Sequence, residues 1–137
     1  LDKLGYDDVK ERIDFLQGDA CNLKPQFADY NVVFAGNLID RLYEPAIFLN
    51  DIQARLLSGG LLVLTSPYTW LEEYTDKSNW LGGVKVNGEN FSTLDALKQQ
   101  LADSFDFEEA VDVPFVIRET ARKHQHTVAQ MTIWRKR

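Results

Sequence analysis

The sequence predicts an α/β domain built on an open, mostly parallel sheet that ends in an antiparallel pair of strands. Two short runs, Tyr30–Ala35 and Leu61–Thr65, are mostly apolar. They lack the alternation of apolar and polar residues that is typical of a strand with one face exposed to solvent. We therefore expect two parallel strands that are covered on both sides. Between them a helical pattern begins at Pro45, a residue that the first helical turn tolerates. Two strand patterns near the carboxyl end, joined by a short connection, favour an antiparallel pair.

The segment between the two apolar runs predicts one amphipathic helix. Its apolar residues recur at spacings of three and four; they are Phe48, Leu49, Ile52 and Leu56. Ser58-Gly59-Gly60 then supplies the residues that a helix end and a tight reversal require. Such a right-handed βαβ unit binds ligands beyond the carboxyl ends of its strands. We therefore expect a site at Gly36-Asn37-Leu38 and Ser66-Pro67-Tyr68.

Composition limits the class of protein. A chain of 137 residues makes one domain or part of one, and its 45% hydrophobic and 12% aromatic residues suffice for a packed core. The single cysteine, Cys21, cannot form an internal disulfide and fits a reducing compartment. No apolar run approaches the roughly 20 residues of a membrane span, and no secretory leader is visible. We expect a cytoplasmic protein with no membrane partner.

The net charge of −6 is unevenly distributed. Residues 118–137 carry six basic residues and one acidic residue, whereas residues 1–117 carry 9 basic and 20 acidic residues. The basic end is compatible with an anionic ligand or nucleic acid, or with a solvated tail and an edge strand protected by charge. The second interpretation is favoured because no aromatic ladder or RNA-binding motif accompanies the charge.

The first strand pattern is Arg12–Gln17, and Gly18-Asp19-Ala20 follows it directly. The Asp19 carboxylate at a strand end can accept a hydrogen bond from an exocyclic amine or a hydroxyl. Equally, it can cap the next turn. A loop over Asn22–Asp29, broken by Pro25, leads to the central βαβ unit.

The segment Thr69–Glu89 is long for a loop in a compact domain and contains Trp70 and Trp80. It predicts a substrate-facing lid, with an aromatic plug over the sheet as the alternative. Ser92–Asp103 predicts a helix that opens with a capping box and buries a leucine stripe; the stripe consists of Leu94, Leu97 and Leu101.

Two strands complete the predicted fold. Phe105–Glu119 is interrupted by Pro114 and so belongs at an edge or a bulge, and Thr127–Arg135 is the last strand. We expect residues 119–126 to join them as an antiparallel pair at one edge of the sheet.

No residue pattern identifies a reaction by itself. The chain has no G-x-S-x-G elbow, no P-loop and no C-x-x-C. His124 and His126 would share a strand face, but no further ligands are spaced for a metal, so we predict none. Cys21 has no identifiable base and is interpreted as a buried thiol.

The order DFLQGDA, DYNVVFAGNLIDRL and LLSGGLLVLTSPY resembles the second half of a Rossmann-like, S-adenosylmethionine-dependent class I methyltransferase. More specifically, SPYTWLEEYTDKSNWLGG and VPFVIRETARKHQHTVAQMTIWRK resemble the methyltransferase domain that closes the ovothiol-biosynthesis enzyme. That resemblance covers residues 12–137. Most of its weight lies in Tyr68, Trp70–Glu73 and the block Trp80–Gly83. It implies methyl transfer from S-adenosylmethionine to an imidazole nitrogen of a mercaptohistidine.

The family's first half, with its glycine-rich loop and an acid that holds the cofactor ribose, has no counterpart in this sequence. In that fold two strands lie between strand 12–17 and strand 30–35, so their absence leaves a gap of about 14 Å, three strand spacings of about 4.8 Å. We therefore expect the chain to be the C-terminal portion of one methyltransferase domain and to be inactive alone. Upstream residues of the same longer chain would complete its sheet.

The resemblance implies roles for eleven residues. Those expected to contact the cofactor are Asp19, Ala20, Gly36, Asn37 and Leu38. Those expected to act in catalysis are Tyr68 and Glu72, the latter by orienting the imidazole through its other N–H. Those expected to contact the substrate are Trp70, Arg118, Glu119 and His126, with Arg118 pairing with the substrate carboxylate.

Other functions remain open. The chain can be a non-catalytic Rossmann-like interaction module, with Trp70, Trp80 and the basic end as partner surface. It can also be a class I methyltransferase for another small molecule. A nucleic-acid methyltransferase is disfavoured by the acidic balance of residues 1–117.

Overall fold

The computed structural model describes Gly5 and residues 7–137, apart from the side chains of Asp7, Asp8 and Lys10. After a 3-10 helix over Asp7–Arg12, the elements are β1 (Tyr30–Gly36), α1 (Pro45–Ile52), β2 (Leu56–Ser66), β3 (Val84–Val86), β4 (Glu89–Phe91), α2 (Thr93–Leu101), β5 (Phe105–Arg118) and β6 (His124–Lys136). Within the described residues, β1, β2, β6 and β5 form one sheet in that order, and β3 and β4 form a hairpin.

The sheet is mixed rather than mostly parallel. β1 and β2 are parallel, as predicted for the βαβ unit, but β6 lies between β2 and β5 and runs antiparallel to both. The terminal pair was therefore correctly predicted as antiparallel with β5 at the edge. The described sheet has three pairs of adjacent strands, however, and only the pair of β1 and β2 is parallel.

The predicted strand over Arg12–Gln17 does not form. Residues 13–19 have no regular secondary structure, and Phe15 and Leu16 are 86% and 70% exposed. A strand exists only where a neighbour accepts and donates its backbone hydrogen bonds. No described strand pairs with this segment, so the apolar pattern alone leaves it extended and unpaired.

The helix α1 ends earlier than its apolar stripe predicts. A 3-10 turn over Gln53–Arg55 follows α1, and Leu56 is the first residue of β2. Arg55 explains this end, because its buried guanidinium donates to the carbonyls of Leu23 and Lys24, both at 3.1 Å, and pairs with Asp51 at 2.8 Å. These contacts hold Arg55 at the end of α1 and fix the loop before β1.

Ser58-Gly59-Gly60 lies inside β2 instead of reversing the chain. Between the pairs Tyr30–Leu56 and Val32–Leu61 the register shifts, and Gly59 has φ +79°. At Gly60 a Cβ would lie 2.8 Å from the Leu57 oxygen. The glycines therefore form an irregularity in a long strand, which the short apolar run at 61–65 did not reveal.

The core lies between the sheet and the two helices on one of its faces. Leu62, Leu64 and Trp134 from the central strands pack there with residues of both helices. The predicted coverage of both faces fails for β1, where Val32 and Phe34 are 54% and 65% exposed. None of the helices in the described part of the chain has both the length and the apolar character to cross a membrane.

The helix α2 forms as its sequence predicts. Ser92 Oγ accepts from the Asp95 N–H, and the Asp95 carboxylate accepts from the Ser92 N–H, which completes a capping box. Leu97 and Leu101 are fully buried, whereas Leu94 is half-buried. β5 is a single strand of 14 residues that continues through Pro114, and its register shift lies at 107–109 instead.

Candidate functional site

The loops after β1 and β2 meet at one end of the sheet. The Asn37 N–H donates to the Thr65 carbonyl at 2.8 Å and lies 3.1 Å from Thr65 Oγ1, which in turn donates to Asn37 Oδ1 at 3.2 Å. Asn37 adopts φ +50°, a conformation that asparagine tolerates better than most residues. The structure thus brings Gly36, Asn37 and Leu38 together with the loop after β2.

Tyr68 lies at the same end of the sheet, in the loop after β2. Its N–H donates to Ser66 Oγ at 3.0 Å, and its hydroxyl lies 3.0 Å from Gln130 Oε1 on β6. Burial, and after it the negative charge of Asp40, raise the pKa of Tyr68 to about 12. At neutral pH the residue is therefore a neutral phenol that donates or accepts hydrogen bonds, and it is not a general base.

A fixed charged pair, Asp40 and Arg41, lies at this end of the sheet. The sequence analysis did not single out either residue. Asp40 is 1% exposed, and its Oδ2 accepts from the Thr69 N–H at 3.0 Å and from Arg41 Nη1 at 3.2 Å. Arg41 Nη1 also donates to the Thr69 carbonyl at 2.8 Å. A usable signal was present, since an Asp-Arg pair between Ile39 and Leu42 places charges in an apolar turn directly after a strand end.

A cavity of about 260 Å³ lies beside this pair. Its floor and one side come from the loops after β1 and β2, and its other wall comes from the β5–β6 hairpin. The wall residues are Phe115, Ile117, Gln125 and Thr127.

Arg118, Glu119 and His126 lie at the far end of the same hairpin. His126 is four residues beyond Gln130, the last β6 residue that pairs with β2, so it lies about 13 Å past the end of β2. Because side chains alternate along a strand, His126 and Arg118 point to the face opposite the cavity wall. Glu119 pairs with Lys123 in the turn. The structure does not bring these three residues to the cavity, and their predicted substrate contacts stay predictions.

Asp19 and Ala20 do not line the cavity beside Arg41. Asp19 Oδ1 accepts from the Cys21 N–H at 2.9 Å, as a turn cap does, and Oδ2 accepts from the Tyr43 hydroxyl at 2.8 Å. The bond to Asp19 raises the pKa of Tyr43 to about 12. Ala20 and Leu38 line one apolar cavity of about 240 Å³ beside the exposed edge of β1. Cys21 is buried, and this burial raises the pKa of its thiol.

The segment after β2 packs onto the helix layer. Trp70 is 8% exposed and donates its Nε1–H to Thr93 Oγ1 at 3.0 Å. Gly82 has φ +83° and a Cβ there would lie 2.4 Å from the Ser92 backbone, so only glycine fits. Trp70 is therefore buried against the start of α2, and both the aromatic plug over the sheet and its predicted substrate contact stay predictions. Glu72 is exposed in the turn between Leu71 and Thr75, and its catalytic role and the lid stay predictions.

Among the residues that the structure describes, no three His, Cys, Asp or Glu side chains are grouped so that they could hold a metal ion. The polar groups at this end of the sheet are the Asp40–Arg41 pair, the Tyr68 hydroxyl and the Asn37–Thr65 bridge.

No family model and no curated protein sequence matches this chain. Solved structures do match its fold. One describes the conversion of a disulfide bond into a thioacetal group during echinomycin biosynthesis; it aligns with 98% of this chain and 61% of its own chain, at 14% identity and a TM-score of 0.60. A second is the S-adenosylmethionine-dependent methyltransferase of Methanosarcina mazei, with 18% identity, a TM-score of 0.56, and coverage of 87% and 65%.

A third match is the [4+2]-cyclase SpnF, with 21% identity, a TM-score of 0.55, and coverage of 82% of this chain and 40% of the cyclase. Identities this low establish a shared fold and not a shared reaction. This chain spans less than two thirds of each of these three proteins. Its α/β fold, with a mixed sheet, is like that of the S-adenosylmethionine-dependent methyltransferase among them.

Proposed function

We propose that this chain is the C-terminal part of an S-adenosylmethionine-dependent methyltransferase domain that methylates an imidazole nitrogen of a mercaptohistidine. The observation that carries methyl transfer is the meeting of two loops at the carboxyl ends of parallel β1 and β2, joined through Asn37 and Thr65. Ligands of open α/β sheets bind at such an edge. The choice of acceptor is supported by the sequence resemblance at Tyr68–Glu73 and Trp80–Gly83.

The residues on the β1 side fit the adenine end of the cofactor. An adenine ring needs an apolar slot and an acceptor for its exocyclic amine. Ala20 and Leu38 line an apolar cavity. The exposed Asp19 carboxylate uses one bond on each oxygen, which leaves lone pairs for an amine.

When bound, S-adenosylmethionine supplies a methyl group on a positively charged sulfur that is already activated for displacement. The chain therefore has to align the two reactants rather than to abstract a proton, because a neutral imidazole nitrogen is itself the nucleophile. Asn37, which lines the cavity of about 260 Å³ at the end of β1, and Tyr68, just beyond the end of β2, would hold this alignment. Glu72 would orient the imidazole through its other N–H.

The exposed edge of β1 supports the view that further strands belong to this domain. Among the described residues β1 has no strand on its outer side, and an unpaired apolar edge invites strand addition. Tyr30, Val32 and Phe34 alternate along β1 and are 44%, 54% and 65% exposed, so one face of this strand is also uncovered. We propose that upstream residues of the same longer chain cover it and bring the glycine-rich loop for the methionine part of the cofactor.

Calorimetric titration of S-adenosylhomocysteine tests the proposal. We expect one binding site in the native protein that contains this chain, and weak or no binding to residues 1–137 alone. Asp19→Asn should weaken binding about 10- to 100-fold, since it removes a charged acceptor. Asp14→Asn is the matched control, because Asp14 is an exposed aspartate outside the cavity, and it should change nothing.

Absence of binding to the folded native protein would contradict methyl transfer. It would leave the non-catalytic interaction module as the better account. Equal effects of Asp19→Asn and Asp14→Asn would contradict the assignment of Asp19 to the adenine.

A further inference from the structure

We infer that the cavity beside Arg41 binds the amino-acid end of the acceptor, with the acceptor carboxylate on Arg41 and its amino group directed to Asp40. This inference deepens the proposed function and rests on it for the choice of acceptor. It replaces Arg118 as the carboxylate partner, because Arg118 lies on the opposite face of the hairpin.

Arg41 is held in place and still has donors to offer. Its Nη1 is committed to the Asp40 carboxylate, the Asp40 carbonyl and the Thr69 carbonyl, at 3.2, 2.8 and 2.8 Å. Its guanidinium carbon also lies 5.0 Å from the ring centre of Tyr74. Among the described residues, nothing accepts a hydrogen bond from its Nε or Nη2. A guanidinium that is fixed at one nitrogen and open at the others is suited to grip a carboxylate.

Asp40 gives a second, independent indication of a ligand. Its side chain is 1% exposed, and its Oδ1 is buried without a hydrogen-bond partner among the described residues. An unsatisfied buried carboxylate oxygen is costly, so such an atom calls for a donor. Asp40 lines the cavity, so a ligand bound there can supply that donor.

The pair together matches a zwitterion. Arg41 and Asp40 present opposite charges about one hydrogen bond apart, and an α-amino acid carries a carboxylate and an ammonium group at a similar separation. Complementary charges favour such a ligand over a simple anion, which Asp40 would repel.

The cavity also has the size and wall for an amino acid with a flat side chain. Its volume of about 260 Å³ lies below the roughly 300–1,000 Å³ typical of sites for drug-sized ligands. Phe115 and Ile117 supply an apolar wall against which a ring can pack. Asn37 lines the same cavity and begins the loop at the end of β1, so a ligand here lies next to the proposed cofactor pocket.

The test is calorimetric titration of the native protein that contains this chain with mercapto-L-histidine and with its decarboxylated analogue. We expect mercapto-L-histidine to bind about 10- to 100-fold more tightly than the analogue, because only the amino acid has a carboxylate that can accept charge-assisted hydrogen bonds from Arg41. Arg41→Gln should remove this preference while binding of the analogue stays unchanged. Arg41→Lys keeps the charge but loses the fork, so it should retain part of the preference.

Arg122→Gln, at an exposed arginine of the β5–β6 turn, is the matched control, and Arg118→Gln tests the earlier assignment; both should leave the preference intact. A melting curve for each variant shows whether it is folded. If Arg41→Gln were not folded, Arg41→Lys would give the decisive comparison.

The outcomes separate this inference from the proposed function. Binding of S-adenosylhomocysteine, without a preference for the amino acid that depends on Arg41, would overturn the inference alone. Such a preference without any binding of S-adenosylhomocysteine would support the amino-acid pocket and exclude methyl transfer. A loss of preference in Arg118→Gln, or an equal loss for both ligands in Arg41→Gln, would also overturn it.

Discussion

The two edges of the sheet differ in how they meet solvent. β5 carries five charged residues and Pro114 along its 14 residues. Glu108 and Asp106 pair with Arg135 and Arg137 at 2.6 and 2.8 Å. Charges and proline are the devices by which edge strands avoid pairing with other strands. This side of the sheet is built to remain an edge.

β1 has none of these devices. Its sequence YNVVFAG contains no charged residue and no proline, yet Val32 and Phe34 are exposed. The segment before it exposes Phe15 and Leu16 in the same way. Exposed side chains alone therefore do not show that an edge strand faces solvent in the native protein. Charged residues and proline on β5 are typical of an edge strand without a further partner, whereas the apolar residues of β1 favour pairing with another strand.

The largest expected effect comes from placing a charge on each edge in turn. In the native protein that contains this chain, Val32→Lys should destabilise the fold by about 3–5 kcal/mol, because it would bury an unpaired ammonium beneath the upstream residues that we propose cover this face of β1. Val116→Lys is the matched control, since Val116 is 60% exposed on β5 against 54% for Val32. It should change stability by less than about 0.5 kcal/mol.

Urea denaturation of both variants measures these free energies of unfolding. Similar small effects at the two positions would show that Val32 meets solvent as Val116 does. The proposal that upstream residues cover β1 would then be wrong.

The sequence predicted the elements whose signals are local. The parallel βαβ unit, the capped helix α2 and the antiparallel terminal pair follow from spacing, capping and turn chemistry, and all three are present. The absence of a strand at Arg12–Gln17 was not predictable in this way, because strand formation depends on a neighbouring strand that the local sequence does not specify.

The site was predictable only in outline. The rule for parallel strands located Asn37 and Tyr68 at one edge, which the structure shows. It could not find Asp40 and Arg41, whose importance depends on a contact with Thr69, 28 to 29 residues away. It also could not show that Arg118 and His126 point away from the cavity, since that depends on the register of β5 with β6.

A smaller effect tests how the covered half of the sheet is held. Ser92→Ala removes the cap of α2 and should destabilise the protein by about 1 kcal/mol. The effect should depend on pH, because hydrogen bonds from Ser92 lower the pKa of Asp95. A lowered pKa contributes stability above the unfolded value, near 3.9, that is lost as pH falls through the folded pKa.

Thermal unfolding of Ser92→Ala and the native protein at pH 7 and at about pH 2.5 checks this expectation. The difference in melting temperature should shrink at the lower pH. Thr120→Ala, in the exposed β5–β6 turn, is a control for loss of a hydroxyl in a turn, and its effect should not follow the protonation of Asp95. An unchanged difference across this range would mean that Asp95 does not take part in the cap.

The smallest expected effect concerns the uncovered side, where the chain before β1 has no strand partner but does have a side-chain anchor. The Tyr43 hydroxyl donates to Asp19 at 2.8 Å, and this bond raises the pKa of Tyr43 to about 12. Asp19→Asn removes the negative charge that opposes phenolate formation, so the pKa should fall toward the ordinary value near 10. Absorbance titration of tyrosinate, with Tyr43→Phe to assign the signal, measures the shift. Asp14→Asn should leave it unchanged. If Asp19→Asn also leaves the titration unchanged, the anchor between Asp19 and Tyr43, in the loop before α1, does not hold in solution.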